Sequence, residues 1–193
     1  MSISAVGQGN KSCWSLSASR HTTTRNQPNA EPNAQWKEPP EGVVKLNTDA
    51  AFLSGTCEAW AGTIARDHTR HVVFSASKSM NKCRSVEEAE GQAILMGLVL
   101  LSRLYQGPLI IETDNKMIAN ELGQVRPNRS ECFWVVSEIK TQAGSSVQDK
   151  AIKREQNCLA HELAARARRH EDSLIITDVP EELRSLMLSE CTK

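Results

Sequence analysis

The sequence has no excess of either charge, its 23 Lys and Arg balancing 23 Asp and Glu. A chain without polycationic character steers nucleic acid only weakly over distance, so any nucleic-acid binding must rest on a local groove and on metal. No apolar run approaches the ~20 residues of a membrane span, so no membrane partner is expected. The N-terminus lacks the apolar core of a secretory signal. The six cysteines, Cys13, Cys57, Cys83, Cys132, Cys158 and Cys191, include no Cys-x-x-Cys pair. They read as reduced thiols of an intracellular protein, nuclear or cytoplasmic, with neither a disulfide framework nor a zinc site.

Aliphatic clusters are also missing from residues 1–40, which are rich in Ser, Thr, Asn, Gln and Pro and end in Gln35-Trp36-Lys37-Glu38-Pro39-Pro40. Such a stretch buries too little apolar surface to fold and is expected to be a disordered leader or linker. Lys11, Arg20 and Arg25 stand among serines with no acidic residue before Glu31, which leaves organelle import open beside the plain-linker reading. The rest of the 193 residues suffices for one domain, assigned to 41–170, with 171–193 as a C-terminal tail. That tail holds one apolar run, Leu174-Ile175-Ile176, to which the sequence attaches no function.

What is present begins with Val43-Val44-Lys45-Leu46-Asn47-Thr48-Asp49-Ala50-Ala51-Phe52, an apolar, β-branched run that meets a carboxylate, Asp49. A buried carboxylate needs a cation or donors to offset its desolvation. Taken alone, though, a strand-end Asp reads first as a turn cap. Two further strand-like runs, 59–66 and 71–78, flank the polar turn Asp67-His68-Thr69-Arg70 and extend the first into an antiparallel meander. Ser85-Val86-Glu87-Glu88 has capping-box spacing and opens a helix to about Leu104. On it Glu90 stacks with Ala93, Ile94, Gly97 and Leu101, while Glu88, Gln92 and Arg103 fall on the polar side. Glu90 is thus a second carboxylate on an apolar face, unless it is a boundary residue reaching to water.

After Gly107-Pro108, the run Leu109-Ile110-Ile111-Glu112-Thr113-Asp114 repeats the opening pattern. A right-handed helical crossover places it parallel to the first strand, which brings Asp49 and Asp114 to one sheet edge. Asn115 is positioned to cap a helix over 116–122, and residues 126–129 form a loop. A helix over 130–143 carries Phe133, Val136, Ile139 and Lys140 at helical spacing, with Phe133 and Trp134 read as packing. A weak strand over 147–154 follows, then a helix capped by Asn157 that puts His161 in its first turns. Arg166, Arg168, Arg169 and His170 near its end offset the helix dipole.

This order, with Trp36-Lys37-Glu38-Pro39-Pro40, Lys45-Leu46-Asn47-Thr48-Asp49, Ala61-Gly62-Thr63-Ile64-Ala65-Arg66-Asp67, Glu88-Ala89-Glu90, Ile111-Glu112-Thr113-Asp114 and Arg154-Glu155-Gln156-Asn157, resembles the ribonuclease H superfamily. Within it the chain is similar to the plant reverse-transcriptase-like RNase H domains of non-LTR retroelements, over roughly residues 36–170. The resemblance implies an α/β ribonuclease H-like fold: a five-stranded mixed sheet, three antiparallel strands then parallel ones, flanked by helices. It also implies that Asp49, Glu90, Asp114 and, at the fourth ligand position, His161 form a catalytic metal site for Mg2+, with Mn2+ as the alternative ion. The implied substrate is an RNA–DNA hybrid, and a monomer is expected.

The chain departs from the family pattern at several points. His161 replaces the usual fourth Asp, bringing no charge and suiting Mg2+ poorly. Ala50 and Arg70 stand where glycine is usual, no mobile histidine falls near Ala151, and a long basic helix is missing. Two functions therefore stay open: a Mg2+-dependent endonuclease cutting the RNA strand of hybrids, or a nucleic-acid-binding or protein-interaction module on the same fold with little catalysis.

Overall fold

The computed structural model describes residues 35–124, 132–144, 147–170 and 173–191. Of the leader assigned to 1–40, residues 1–34 lie outside the described residues, as do the loop over 126–129 and the start of the third helix, whereas Trp36 at its end is buried. Strands β1 (Val44–Leu53), β2 (Glu58–Arg66), β3 (Val72–Ser79), β4 (Leu109–Thr113), β5 (Val147–Ala151) and β6 (Leu174–Ile176) form one sheet in the order β5-β4-β1-β2-β3-β6. β1 runs antiparallel to β2 and parallel to β4, with Asn47 opposite Glu112. The crossover expectation thus holds: β1 and β4 point the same way, and both end at one edge. The sheet has six strands where five were expected, because the apolar run of the tail pairs antiparallel with β3, Ile175 opposite Ala76.

Helices α1 (Val86–Leu101), α2 (Lys116–Gly123) and α3 (Phe133–Ala143) share a core with one sheet face, in which Leu46, Phe74, Ile94, Ile111 and Val135 are buried. On the other face α4 (Cys158–His170) contributes Leu159 and Leu163, packed with Ile64, Val72 and Leu183. α5 (Arg184–Cys191) follows the sixth strand. Burial of both faces explains why the central strands read as nearly continuous apolar runs. Among the described residues no helix is long and apolar enough to cross a membrane.

Several local expectations change on contact with tertiary structure. Glu88 is buried instead of lying on a polar face: Ser85 Oγ accepts its backbone N–H, and its own carboxylate accepts the N–H of Arg84, so the end of α1 is closed from both sides. Val86 and Leu104, at the two ends of the expected helix, are exposed. α1 ends at Leu101, β5 stops at Ala151, and Arg154 instead opens a 3-10 turn. On α3 the buried set is Cys132, Val135, Val136 and Ile139, the i, i+3, i+4, i+7 stripe. That phase leaves Phe133 and Trp134 exposed at 44% and 42%, so they are not core residues.

One glycine sets the position of α4. Gly62 lies opposite Asp49 in the β1–β2 ladder, and a Cβ there would fall 2.1 Å from the Ala160 carbonyl oxygen and 2.2 Å from the Ala164 nitrogen. The helix backbone therefore sits directly on the strand, which a side chain would forbid. This close approach carries His161 to the edge where Asp49 emerges.

Candidate metal centre

Side chains alternate along a strand, so Lys45, Asn47 and Asp49 share one face of β1. Their order up the strand is also an order of function, from a buried ion pair through a hydrogen-bond hub to the carboxylate. Asp114 follows directly on β4, and Glu90 comes from the first turns of α1. Ligand oxygens of Asp49, Glu90 and Asp114 all lie within 4.8 Å of one another. The three carboxylates expected at one edge do meet there, and Glu90 does not reach out to water: it is 5% exposed.

The electrostatics are those of a site short of positive charge. Burial pushes the Glu90 carboxyl well above the usual carboxylate range, and the charges of Asp49 and Asp114 push it further, with the Ala50 backbone N–H and Arg154 opposing. Asp49 is raised as well, by burial and by Asp114, against a hydrogen bond from His161. Glu90 Oε2 is buried without a hydrogen-bond partner. An orphaned buried carboxylate oxygen between two other acids is the donor chemistry of a hard divalent cation, which takes several carboxylate oxygens. The residues fit such an ion.

His161 stands beside this group as a partner of Asp49. Its Nδ1 lies 2.8 Å from Asp49 Oδ2, while Arg154 Nη2 lies 3.0 Å from Nε2. Arg154 Nη2 lies 3.3 Å from Nδ1 as well, so it packs against both ring nitrogens, and the carboxylate of Asp49, which accepts, takes the N–H of Nδ1. An Nδ1 that donates to Asp49 has no lone pair to offer a metal. Arg154 Nη1 also lies 4.0 Å from Asp114 Oδ2.

Beneath the carboxylates runs a buried polar network. Asn157 was expected to cap α4, but its side chain points into the sheet edge, where Nδ2 donates to the Thr48 carbonyl at 2.9 Å and to Asp114 Oδ1 at 3.3 Å. The N-terminus of α4 is served instead by Glu190, whose carboxylate accepts the Leu159 N–H at 3.2 Å. Asn47 Nδ2 donates to Glu112 Oε2 at 3.0 Å and to Asn157 Oδ1 at 3.4 Å; its Oδ1 accepts from Trp36 Nε1 at 2.9 Å and Arg66 Nη2 at 3.3 Å. Lys45 pairs with Glu112 at 2.9 Å and Arg66 with Glu190 at 2.7 Å, all four buried. Arg66 also stacks 3.7 Å from the centroid of the Trp36 ring. The network draws on both flanks of the 41–170 segment, through Trp36 before it and Glu190 after it.

Of these residues Asn47, Glu112, Arg66 and Glu190 were not singled out as part of the site. The one signal in sequence was the density of charged and amide residues inside otherwise apolar strands, since each must find a buried partner.

A family model for reverse transcriptase-like domains matches residues 47–167. The chain belongs to the reverse transcriptase-like family. No curated protein matches it significantly. Among solved structures, this reverse transcriptase-like domain is similar to RNase H1 of the halophilic archaeon Halobacterium salinarum, at 16% identity and a TM-score of 0.59, covering 66% of this chain and 98% of that one. The N-terminal RNase H domain of a Mycobacterium tuberculosis protein matches at 15% identity and a TM-score of 0.58, over 64% and 97%. LC11-RNase H1, solved in complex with an RNA/DNA hybrid, matches at 20% and 0.54, over 62% and 92%. The fold is that of RNase H.

Proposed function

We propose that the protein is a divalent-metal-dependent endonuclease that cuts the RNA strand of RNA–DNA hybrids. The observation that carries this reading is the trio Asp49, Glu90 and Asp114, with oxygens within 4.8 Å and one of them orphaned. The three carboxylates are the residues to hold the ion, for which Mg2+ suits oxygen donors best and Mn2+ is the alternative. When bound, the ion supplies an activated water and charge neutralisation at the phosphate.

The chain's own residues prepare that site. Asn157 fixes Asp114 by donating to Oδ1, His161 fixes Asp49 by donating to Oδ2, and the Ala50 N–H holds the Glu90 carboxylate. Such supporting hydrogen bonds hold ligands in productive rotamers before substrate arrives. His161 acts in this reading from outside the ligand set, through Asp49. RNA is distinguished from DNA by contacts to 2′-hydroxyls in the minor groove, so a hybrid is the expected preference over either pure duplex.

The second reading, a nucleic-acid-binding or interaction module with little catalysis, is favoured by His161, which adds no negative charge where a fourth carboxylate would. Incubation of the purified chain with a strand-labelled hybrid in Mg2+ decides between them. Fragments of the RNA strand alone, abolished in Asp49→Asn, support the hydrolase. Intact hybrid, with equal affinity for hybrid, duplex DNA and duplex RNA, refutes it.

A further inference from the structure

The first helix carries a second apolar stripe that neither the core nor the carboxylate cluster uses. Glu90 faces the cluster, and at about 100° per residue Gln92, Leu95, Val99 and Arg103 come round to the opposite side of α1. There they floor a groove of about 560 Å³, walled by Glu138 and Gln142 of α3 and by Lys78 of β3 and Ile175 of β6. Met96 and Leu100 complete the floor, yet Val99 stays 41% and Ile175 53% exposed. Trp134, itself exposed, stands one turn before Glu138 on the same face of α3, so the apolar surface continues past the groove. An apolar patch rimmed by polar side chains, in a cleft of this volume, is the form of a docking site.

Shape and charge say what fits. Three residues of β6 offer too short a ladder for an added strand, whereas the floor from Gln92 to Arg103 runs about 16 Å, or roughly three turns of a helix laid along it. Cations stand at both ends of that run. Lys78 lies near the end of β3, whose loop leads into the start of α1, and Arg103 lies just past the last turn of α1. Neither has a hydrogen-bond or ion-pair partner among the described residues, and the one acid of the lining, Glu138, is held by Gln142 Nε2 at 2.9 Å. We infer that this groove docks an acidic amphipathic helix of a protein partner, with apolar side chains against Val99, Ile175 and Trp134 and carboxylates meeting Lys78 and Arg103. The docked helix lies on the side of α1 away from Glu90, so it leaves the carboxylate cluster open and stands independently of the hydrolase reading.

The probe is a fluorescein-labelled peptide of about 15 residues with leucine at i, i+3, i+4 and i+7 and glutamate between, beside a counterpart with lysine for every glutamate. Fluorescence anisotropy with the full chain should show saturable binding of the acidic peptide and binding of the basic one weaker by about tenfold or more. Val99→Glu and Ile175→Glu, at exposed positions where substitution leaves the fold intact, should each weaken the acidic peptide by about tenfold or more. Lys78→Glu combined with Arg103→Glu should invert the preference, and all of these proteins should keep the wild-type Tm. No binding of the acidic peptide, equal binding of both peptides, or binding undiminished in Val99→Glu and Ile175→Glu overturns the assignment. A wild type that sediments as a dimer and is dissociated by Val99→Glu overturns it too, since a second copy then fills the groove. So does a loss of hybrid affinity in the doubly charge-reversed protein, because nucleic acid then lies there. Hybrid cleavage is read separately, so the failure of either proposal is distinguishable from the failure of the other.

Discussion

Replacing Glu90 by glutamine should stabilise the metal-free protein, and only where the carboxylates carry charge. The ligand oxygens of the three acids lie within 4.8 Å of one another, and two unit charges that far apart repel by about 3.5 kcal/mol at an effective dielectric constant of ~20. Burial and the two neighbouring charges raise the Glu90 pKa, and each unit of such a rise is about 1.4 kcal/mol of strain on the charged form. The net gain for Glu90→Gln is therefore on the order of 1–3 kcal/mol near pH 8, which for a chain of this size raises Tm by roughly 3–10 °C. Because the folded carboxyl titrates above its ordinary value of 4.5, the wild-type penalty is absent below that value and grows as pH rises through the folded pKa. The advantage of the variant should vanish accordingly at low pH. Thermal unfolding followed by circular dichroism in chelator across pH is the assay. Saturating Mg2+ should reverse the ranking, since ~100-fold excess over Kd adds about 2.7 kcal/mol to whichever protein binds it. A Glu90→Gln protein that is less stable than wild type in chelator near pH 8, or offset by the same amount at every pH, would refute the crowded-carboxylate reasoning.

Three further substitutions examine the supports of the site. Asn157→Ala removes the donor to Asp114 Oδ1 and should weaken Mg2+ binding by about 10–100-fold, measured by calorimetry. Glu190→Gln removes the carboxylate charge paired with buried Arg66 and should cost about 3–5 kcal/mol in urea unfolding; a loss under ~1 kcal/mol would mean that α5 is not part of the folded unit. Gly62→Ala forces a Cβ into the backbone of α4 and should cost at least as much as an overpacked core, about 1–3 kcal/mol or more, with hybrid cleavage lost alongside.

Much of this site could be read from the chain because its acids interrupt regular patterns. Asp49 and Asp114 each end an apolar strand, and the handedness of the crossover brings those strands side by side. Glu90 is marked by the 3.6-residue period of α1. The polar network was not legible, because its partners are joined only by the fold: Arg66 meets Glu190 across 124 positions of sequence. Asn157 has the residue type of a helix cap, and local propensity cannot show that Thr48 and Asp114 compete for its amide while Glu190 takes over the helix end. On α3, neighbouring stripes of similar hydrophobicity left the helical phase ambiguous, and packing of Val135 against Gly91 selects the stripe that exposes Phe133. A three-residue β6 has too short a run to signal a strand until β3 offers its edge.

The central claim is that Asp49, Glu90 and Asp114 form one divalent-metal site. Calorimetric titration of Mg2+ into the wild type and Asp49→Asn, without nucleic acid, tests it most directly. Saturable binding by the wild type, with affinity reduced at least tenfold in Asp49→Asn, about the 1.4 kcal/mol value of one ligand contact, is the predicted result. Equal Mg2+ affinity in the two proteins, or no binding by the wild type, would contradict it and return Asp49 to the role of a turn cap at the end of a strand.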